Sequence, residues 1–248
     1  MAIALGVFLT VVVGACLQRV SGMGLGLVGG PLLMLMMGPV EGIMVINVLA
    51  VINAALITYN VRAHVDWGKF ATIASVMVFG SIPGALLIRA VDAGPLLVIA
   101  GGSLLVALAM VTFGKKYVPR MDGLGPMLSA GVLGGFTNTL AGIAGPVITV
   151  YAEAARWDHR MYAATLQPIF MVGGFISVIT KLLLGAGKFA ETTWVVWPAG
   201  IAGMFVGITL GIVLSNRISR SKAHTLSLVV ASAGAAVAML RGIAEMAA

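Results

Sequence analysis

Two glycine-rich segments, Ser21 to Pro31 and Leu140 to Pro146, interrupt long apolar stretches of the chain. Lipid cannot hydrogen-bond exposed amides, so non-helical backbone at membrane depth survives only where protein or a polar cavity receives it. Two such breaks in corresponding places point to a transport site near mid-membrane. Such breaks need a membrane-embedded chain, and the composition is that of one. With 60% hydrophobic and 9% charged residues and a mean hydropathy of +1.09, little polar surface remains for a soluble globule.

A helical span takes about 20 apolar residues, and almost the whole chain divides into such stretches. They run over 2–20, 27–38, 41–60, 68–88, 94–113, 124–140, 142–154, 161–184, 193–214 and 224–243. In each half a span leads into a glycine-proline break and a short apolar piece, and three full-length spans follow. Trp67 stands 13 residues before Gly80 and 17 before Gly84, and Trp194 has the same spacings to Gly207 and Gly211. Such Gly-xxx-Gly pairs let neighbouring helices approach closely in both halves. The expected organisation is a first repeat over 1–114, a basic connection over 115–122 and a second repeat over 123–248. The fold class is an all-α polytopic membrane protein of two inverted repeats, each with a Gly/Pro-broken segment plus three transmembrane helices. Met1 to Gly6 lacks the basic region of a secretory signal, so the first apolar run is expected to be retained as a span.

Charge tests the segment count. If each short segment crosses or folds back along the span before it, one face collects Arg62, Lys69, Lys115, Lys116, Arg120, Arg156, Arg160, Arg217, Arg220 and Lys222. The opposite face keeps Arg89, Lys188 and Arg241. By the positive-inside tendency the first face is cytoplasmic. Both termini are then expected in the periplasm, with the chain in the cytoplasmic (inner) membrane and its two halves oppositely oriented. The net charge of +7 is explained by these loops and calls for no nucleic-acid partner.

A broken helix exposes backbone N–H groups at its new N-terminus, where the aligned peptide dipoles place about half a positive charge. An oxyanion can be held there without a charged side chain. Pro31 and Pro146 are read as the starts of the two new helices, because a first helical turn does not need the missing N–H. The candidate substrate-binding residues are Arg19, Ser21, Gly22, Gly24, Gly29, Gly30, Asn47, Asn53, Thr137, Asn138, Thr139, Gly142, Gly145, Thr165 and Gln167, with Gln18 and Lys181 as further candidates. The polar members are costly against lipid and are expected to face the bundle interior, as ligands for the anion or as interhelical hydrogen-bonding groups. Gln167 precedes Pro168, whose ring removes a helical hydrogen bond and frees a carbonyl nearby. Of the two deep cations, Arg19 is the better anion ligand, since Arg offers a planar fork. Lys181 is expected to snorkel to the interface from its place near a helix end.

Other chemistries lack their parts. Gly24-x-Gly26-x-x-Gly29 matches a dinucleotide fingerprint in isolation, yet an apolar span precedes it and Glu41 opens another. His64, His159 and His224 fall in separate connections, and Cys16 lies alone in a span. No carboxylate pair or metal-ligand spacing falls on one face, so no catalytic residue, metal or cofactor is expected. Asp66, Asp92, Glu153 and Asp158 read as solvated loop acids. A membrane-embedded enzyme and an accessory membrane subunit are the competing readings. The candidate partners are a small anion, a coupling proton or sodium ion, membrane lipid and a second copy of the chain.

The chain resembles the sulfite exporter TauE/SafE family, duplicated anion permeases of the membrane. The resemblance rests on the Ser21-Gly22 to Gly29-Gly30-Pro31 segment, the Arg62 to Trp67 loop, the Gly80 and Gly84 pair, and the second glycine segment through Pro146. It covers the whole chain. It implies movement of a sulfur-containing or organic anion such as sulfite, sulfoacetate or thiosulfate, without choosing among them.

Overall fold

The computed structural model describes residues 1–113, 119–121, 123–189 and 192–247. Its helices are α1 (Ala2–Ser21), α2 (Leu25–Met37), α3 (Pro39–Val61), α4 (Trp67–Ala90), α5 (Ala93–Phe113), α6 (Leu124–Ala141), α7 (Gly145–Ala154), α8 (His159–Leu183), α9 (Val196–Leu214) and α10 (Arg220–Ala247). A short 3-10 turn over Arg62–His64 joins α3 to α4. There is no strand among the described residues, and 7 helices are long and apolar enough to cross a membrane. The fold is all-α and polytopic.

Local chemistry sets the helix ends. Gly22 and Gly142 take left-handed conformations, with φ of 87° and 72°, and close α1 and α6 through N–H bonds to the Gln18 and Asn138 carbonyls. Only glycine adopts that conformation readily. Asp66 and Asp158, read from sequence as solvated, are N-caps: their carboxylates accept from the Lys69 amide at 3.0 Å and the Met161 amide at 2.9 Å.

One helix start differs from expectation. Pro146 lies in the first turn of α7, but Pro31 lies inside α2, which already begins at Leu25. The left-handed Gly22 ends α1, and the Val28 amide bonds back to Gly24 at 2.8 Å, so helical pairing resumes before the proline. The Pro31 ring is accommodated against Gly234 of α10, which has no side chain in its way.

Both short helices fold back along the long helix before them. Along α1 and α2, Gly14 meets Leu25, Thr10 meets Gly29 and Gly6 meets Met36. Along α6 and α7, Gly134 meets Ile148, and the Met121 amide just before α6 reaches the Ala154 carbonyl at 3.2 Å. Each break is thus the tip of an antiparallel hairpin. With α2 and α7 returning, the connections after α3, α7 and α9 share one face, as the loop cations require; Lys115 and Lys116 lie outside the described residues.

The glycine pairs do what their spacing implies. Gly80 and Gly84 of α4 lie against Val132, Phe136 and Thr139 of α6, while Gly207 and Gly211 of α9 lie against Val12, Ala15 and Arg19 of α1. At Gly207 a Cβ would sit 2.5 Å from the Val12 carbonyl oxygen. The centre is α3 packed on α8, with Ile43, Val45, Ile46 and Ile169 fully enclosed. Phe79, Phe175 and Phe205 face outward, as a lipid-facing surface permits.

Candidate functional site

The hairpin tips meet. A Cβ at Gly26 would lie 2.6 Å from the Gly142 carbonyl oxygen, and one at Gly30 2.6 Å from that of Ala141. Two glycines of α2 therefore let the second break press against it. Between the tips is a small cavity of about 30 Å³, lined by Gln18, Gly24, Gly26, Asn47, Asn138, Gly142, Gly145, Pro146 and Phe170 among others. By the same measure about 10–15 Å³ holds one water. Any ion seated here has shed most of its hydration shell.

The N-terminal ends of α2 and α7 both line this cavity, through Gly24, Gly26 and Leu27 and through Ala144, Gly145 and Pro146. Neither helix is capped by the side chain of its N-cap residue. The first amide of α2, at Leu25, donates instead to Gln18 Oε1 at 3.0 Å. Two dipole ends of about half a positive charge each thus converge on one small space.

Amide side chains cross the centre in two pairs. Gln18 Nε2 donates to Gln167 Oε1 at 3.1 Å, and Asn138 Nδ2 donates to Asn47 Oδ1 at 3.3 Å. Gln167 Nε2 also reaches the Gly22 carbonyl at 3.1 Å, so the non-helical backbone of the first break is satisfied by protein. Asn47 Nδ2 donates in turn to Ser177 Oγ at 3.0 Å.

A larger recess of about 290 Å³ opens beside the first pair, lined by Arg19, Ser21, Gly22, His64, His159, Arg160, Gln167 and Arg220 among others. Gln18 lines both spaces, so the Gln18–Gln167 bond stands between the central cavity and this basic vestibule.

The family model described as Sulfite exporter TauE/SafE matches residues 7–240. The chain belongs to the TauE/SafE family. TauE/SafE proteins are membrane transporters, and the multi-pass fold and central cavity agree with that class. Neither the curated proteins nor the solved structures compared with this TauE/SafE chain gave a match.

The expected residues divide. Gln18, Gly24, Asn47, Asn138, Gly142 and Gly145 line the cavity, and Gln167 closes one side of it. Ser21 lies at the vestibule, its hydroxyl 2.8 Å from the Leu17 carbonyl and 2.7 Å from that of Met23. Gly29 and Gly30 serve close helix approach, to Ile46 and Ala141. Thr139 pairs with Ser81 of α4 at 2.8 Å. Thr165 accepts from the Asp66 amide at 2.9 Å and so ties down the turn before α4. Thr137 bonds the Leu133 carbonyl and lines an apolar groove between α5, α6 and α7. Asn53 is fully enclosed, with neither side-chain polar atom bonded among the described residues.

The two cations expected to lie deep differ from expectation in their depth. Arg19 is exposed at the vestibule, with its aliphatic stem on Gly211. Lys181 does not snorkel: it is 0% exposed, and among the described residues its Nζ has no hydrogen-bond partner. The Ala186 amide bonds back to the Lys181 carbonyl at 2.8 Å, just past the end of α8.

Gly26, Pro146 and Phe170 line the cavity without having been singled out as ligands. Gly26 had a legible signal, as the middle glycine of Gly24-x-Gly26-x-x-Gly29. Phe170 had none, since an aromatic residue in an apolar span has the same appearance wherever it points.

Proposed function

We propose that the chain is a secondary transporter that moves a small sulfur-containing or organic anion, with sulfite the first candidate and sulfoacetate and thiosulfate close behind, across the cytoplasmic membrane. The observation that carries this reading is the convergence of the α2 and α7 N-termini on one cavity. Backbone N–H groups from both sides replace the water an oxyanion loses on entry, and the peptide dipoles supply the opposing charge. The basic vestibule attracts anions toward the Gln18–Gln167 pair, which must part to admit them.

An inverted repeat is supported by one numerical regularity. An offset of 120 residues carries Gln18 onto Asn138 and Asn47 onto Gln167, so the two crossing amide pairs exchange with each other. The same offset carries Val12 onto Val132 and Arg19 onto Thr139, which meet the matched glycines of α9 and α4. In this reading the halves are 1–114 and 123–248, joined by the basic 115–122 connection. The two amide pairs are the inner and outer barriers of an alternating-access cycle, and both termini are periplasmic. The chemistry is binding and release, with no bond made or broken.

The test is flux. Purified chain reconstituted alone into lipid vesicles should take up radiolabelled sulfite saturably, faster than vesicles without protein. Uptake no greater than in empty vesicles, for sulfite, sulfoacetate and thiosulfate alike, would contradict the proposal.

A further inference from the structure

Lys181 is a cation with no evident purpose in the packing. It is 0% exposed, with no partner on Nζ among the described residues, although it lies within three residues of the end of α8 at Leu183. Four methylenes from that position ordinarily reach the interface. A lysine buried in a membrane protein is costly and marks function by default. Packing alone would be served better by an apolar side chain of similar volume.

Its neighbourhood on α8 connects it to the cavity. Ser177 stands four residues earlier, one turn away on the same face. Ser177 Oγ accepts from Asn47 at 3.0 Å, and Asn47 accepts from Asn138 at 3.3 Å. Asn47 and Asn138 line the cavity. A polar track therefore runs from the α2 and α7 N-termini through Asn138, Asn47 and Ser177 toward Lys181, away from the basic vestibule. The 120-residue offset that relates the amide pairs puts Val61 opposite Lys181, so this cation exists in the second half alone.

We propose that Lys181, with Ser177 and Asn47, forms a second oxyanion-binding site on the outer side of the Asn138–Asn47 pair, which receives the anion as it leaves the central cavity. The proposal rests on the transport reading above. Lys suits such a station: it offers a point charge on a flexible stem, with no fixed fork to hold the ion. A station of this kind must bind firmly enough to draw the ion on and loosely enough to release it.

The experiment is calorimetric titration of sulfite into purified protein in lipid nanodiscs, at fixed pH and ionic strength, with thermal unfolding recorded for every variant. Wild type should bind two sulfite ions per chain. Lys181→Met should bind one, with the affinity of the remaining site changed less than about threefold, and should unfold no earlier than wild type because a buried charge is gone. Lys181→Gln should behave as Lys181→Met, and Lys181→Arg should retain the second ion. Gly145→Val should show the converse, losing the ion at the helix termini and keeping the one at Lys181. Two ions in Lys181→Met, or one ion of unchanged affinity in both wild type and Lys181→Met, would overturn the second site and leave the transport reading standing. No sulfite bound by wild type would overturn both.

Discussion

Gln18 of α1 and Gln167 of α8 are joined by a 3.1 Å hydrogen bond at the boundary between the central cavity and the basic vestibule. The same Gln18 holds the first amide of α2 at 3.0 Å, and the same Gln167 holds the Gly22 carbonyl at 3.1 Å. One side-chain pair thus satisfies the first break and separates the two spaces. In a region without water an unsatisfied polar group is expensive, so in the proposed transport cycle the pair would part only with an anion taking its place.

Gln18→Glu keeps the acceptor for the Leu25 amide and adds a negative charge at the N-terminus of α2. The expected outcome is retained folding, because a carboxylate caps a helix N-terminus well, with sulfite affinity weakened by about tenfold or more from like-charge repulsion. Calorimetry beside a thermal unfolding curve separates the two effects. Unchanged affinity would remove Gln18 from the site.

Gly80→Ala should destabilise the fold by about 1–3 kcal/mol, since the new methyl meets the Val132 and Phe136 backbone of α6 rather than a yielding side chain. Gly207→Ala should act in the same direction through Val12 of α1. Gly125→Ala is the control, because no described residue lies within 4 Å of its added methyl, and alanine gains about 1 kcal/mol of helix propensity over glycine. Thermal unfolding in one detergent ranks the three variants.

Arg19 is exposed on the vestibule wall, so Arg19→Gln should act on arrival more than on holding. The association rate of sulfite should fall about threefold or more at low salt and recover toward wild type as salt screens the field. Stopped-flow binding over a salt series reads this directly. A loss in affinity that is independent of salt would place Arg19 on the bound ion instead.

Much of this architecture was legible in the sequence because membranes leave few options. Apolar length gave the helices, and loop cations required the short segments to return, which the α1–α2 and α6–α7 hairpins do. The spacing of Trp67, Gly80 and Gly84 against Trp194, Gly207 and Gly211 located both close helix contacts. What sequence could not give was direction around a helix axis. In spans apolar on every face nothing in the pattern says that Thr137 turns to the groove while Asn138 turns to the cavity. Nor could it give depth: Lys181, expected at the interface, is fully enclosed, while Arg19 is exposed at the vestibule. Pro31 differs for another reason: helical pairing resumes at Gly24, seven residues before it, so the proline falls inside α2 rather than at its start.

On a Cys16→Ser background, Ser219→Cys should be shielded from an impermeant thiol reagent in intact cells, and Met246→Cys should react. Both residues are exposed, in the α9–α10 connection and near the end of α10. The reverse pattern would overturn the orientation drawn from the loop cations.

Selenite is an oxyanion of the same shape and charge as sulfite, and selenium scatters X-rays anomalously. Crystals of the purified protein grown with selenite should therefore show an anomalous peak between the N-terminus of α2, at Gly24 to Leu27, and that of α7, at Gly145, with the peak lost in Gly145→Val crystals. A peak confined to the basic vestibule around Arg19 and Arg160, or one between the helix termini that persists in Gly145→Val, would contradict the claim that the two broken helices hold the transported anion.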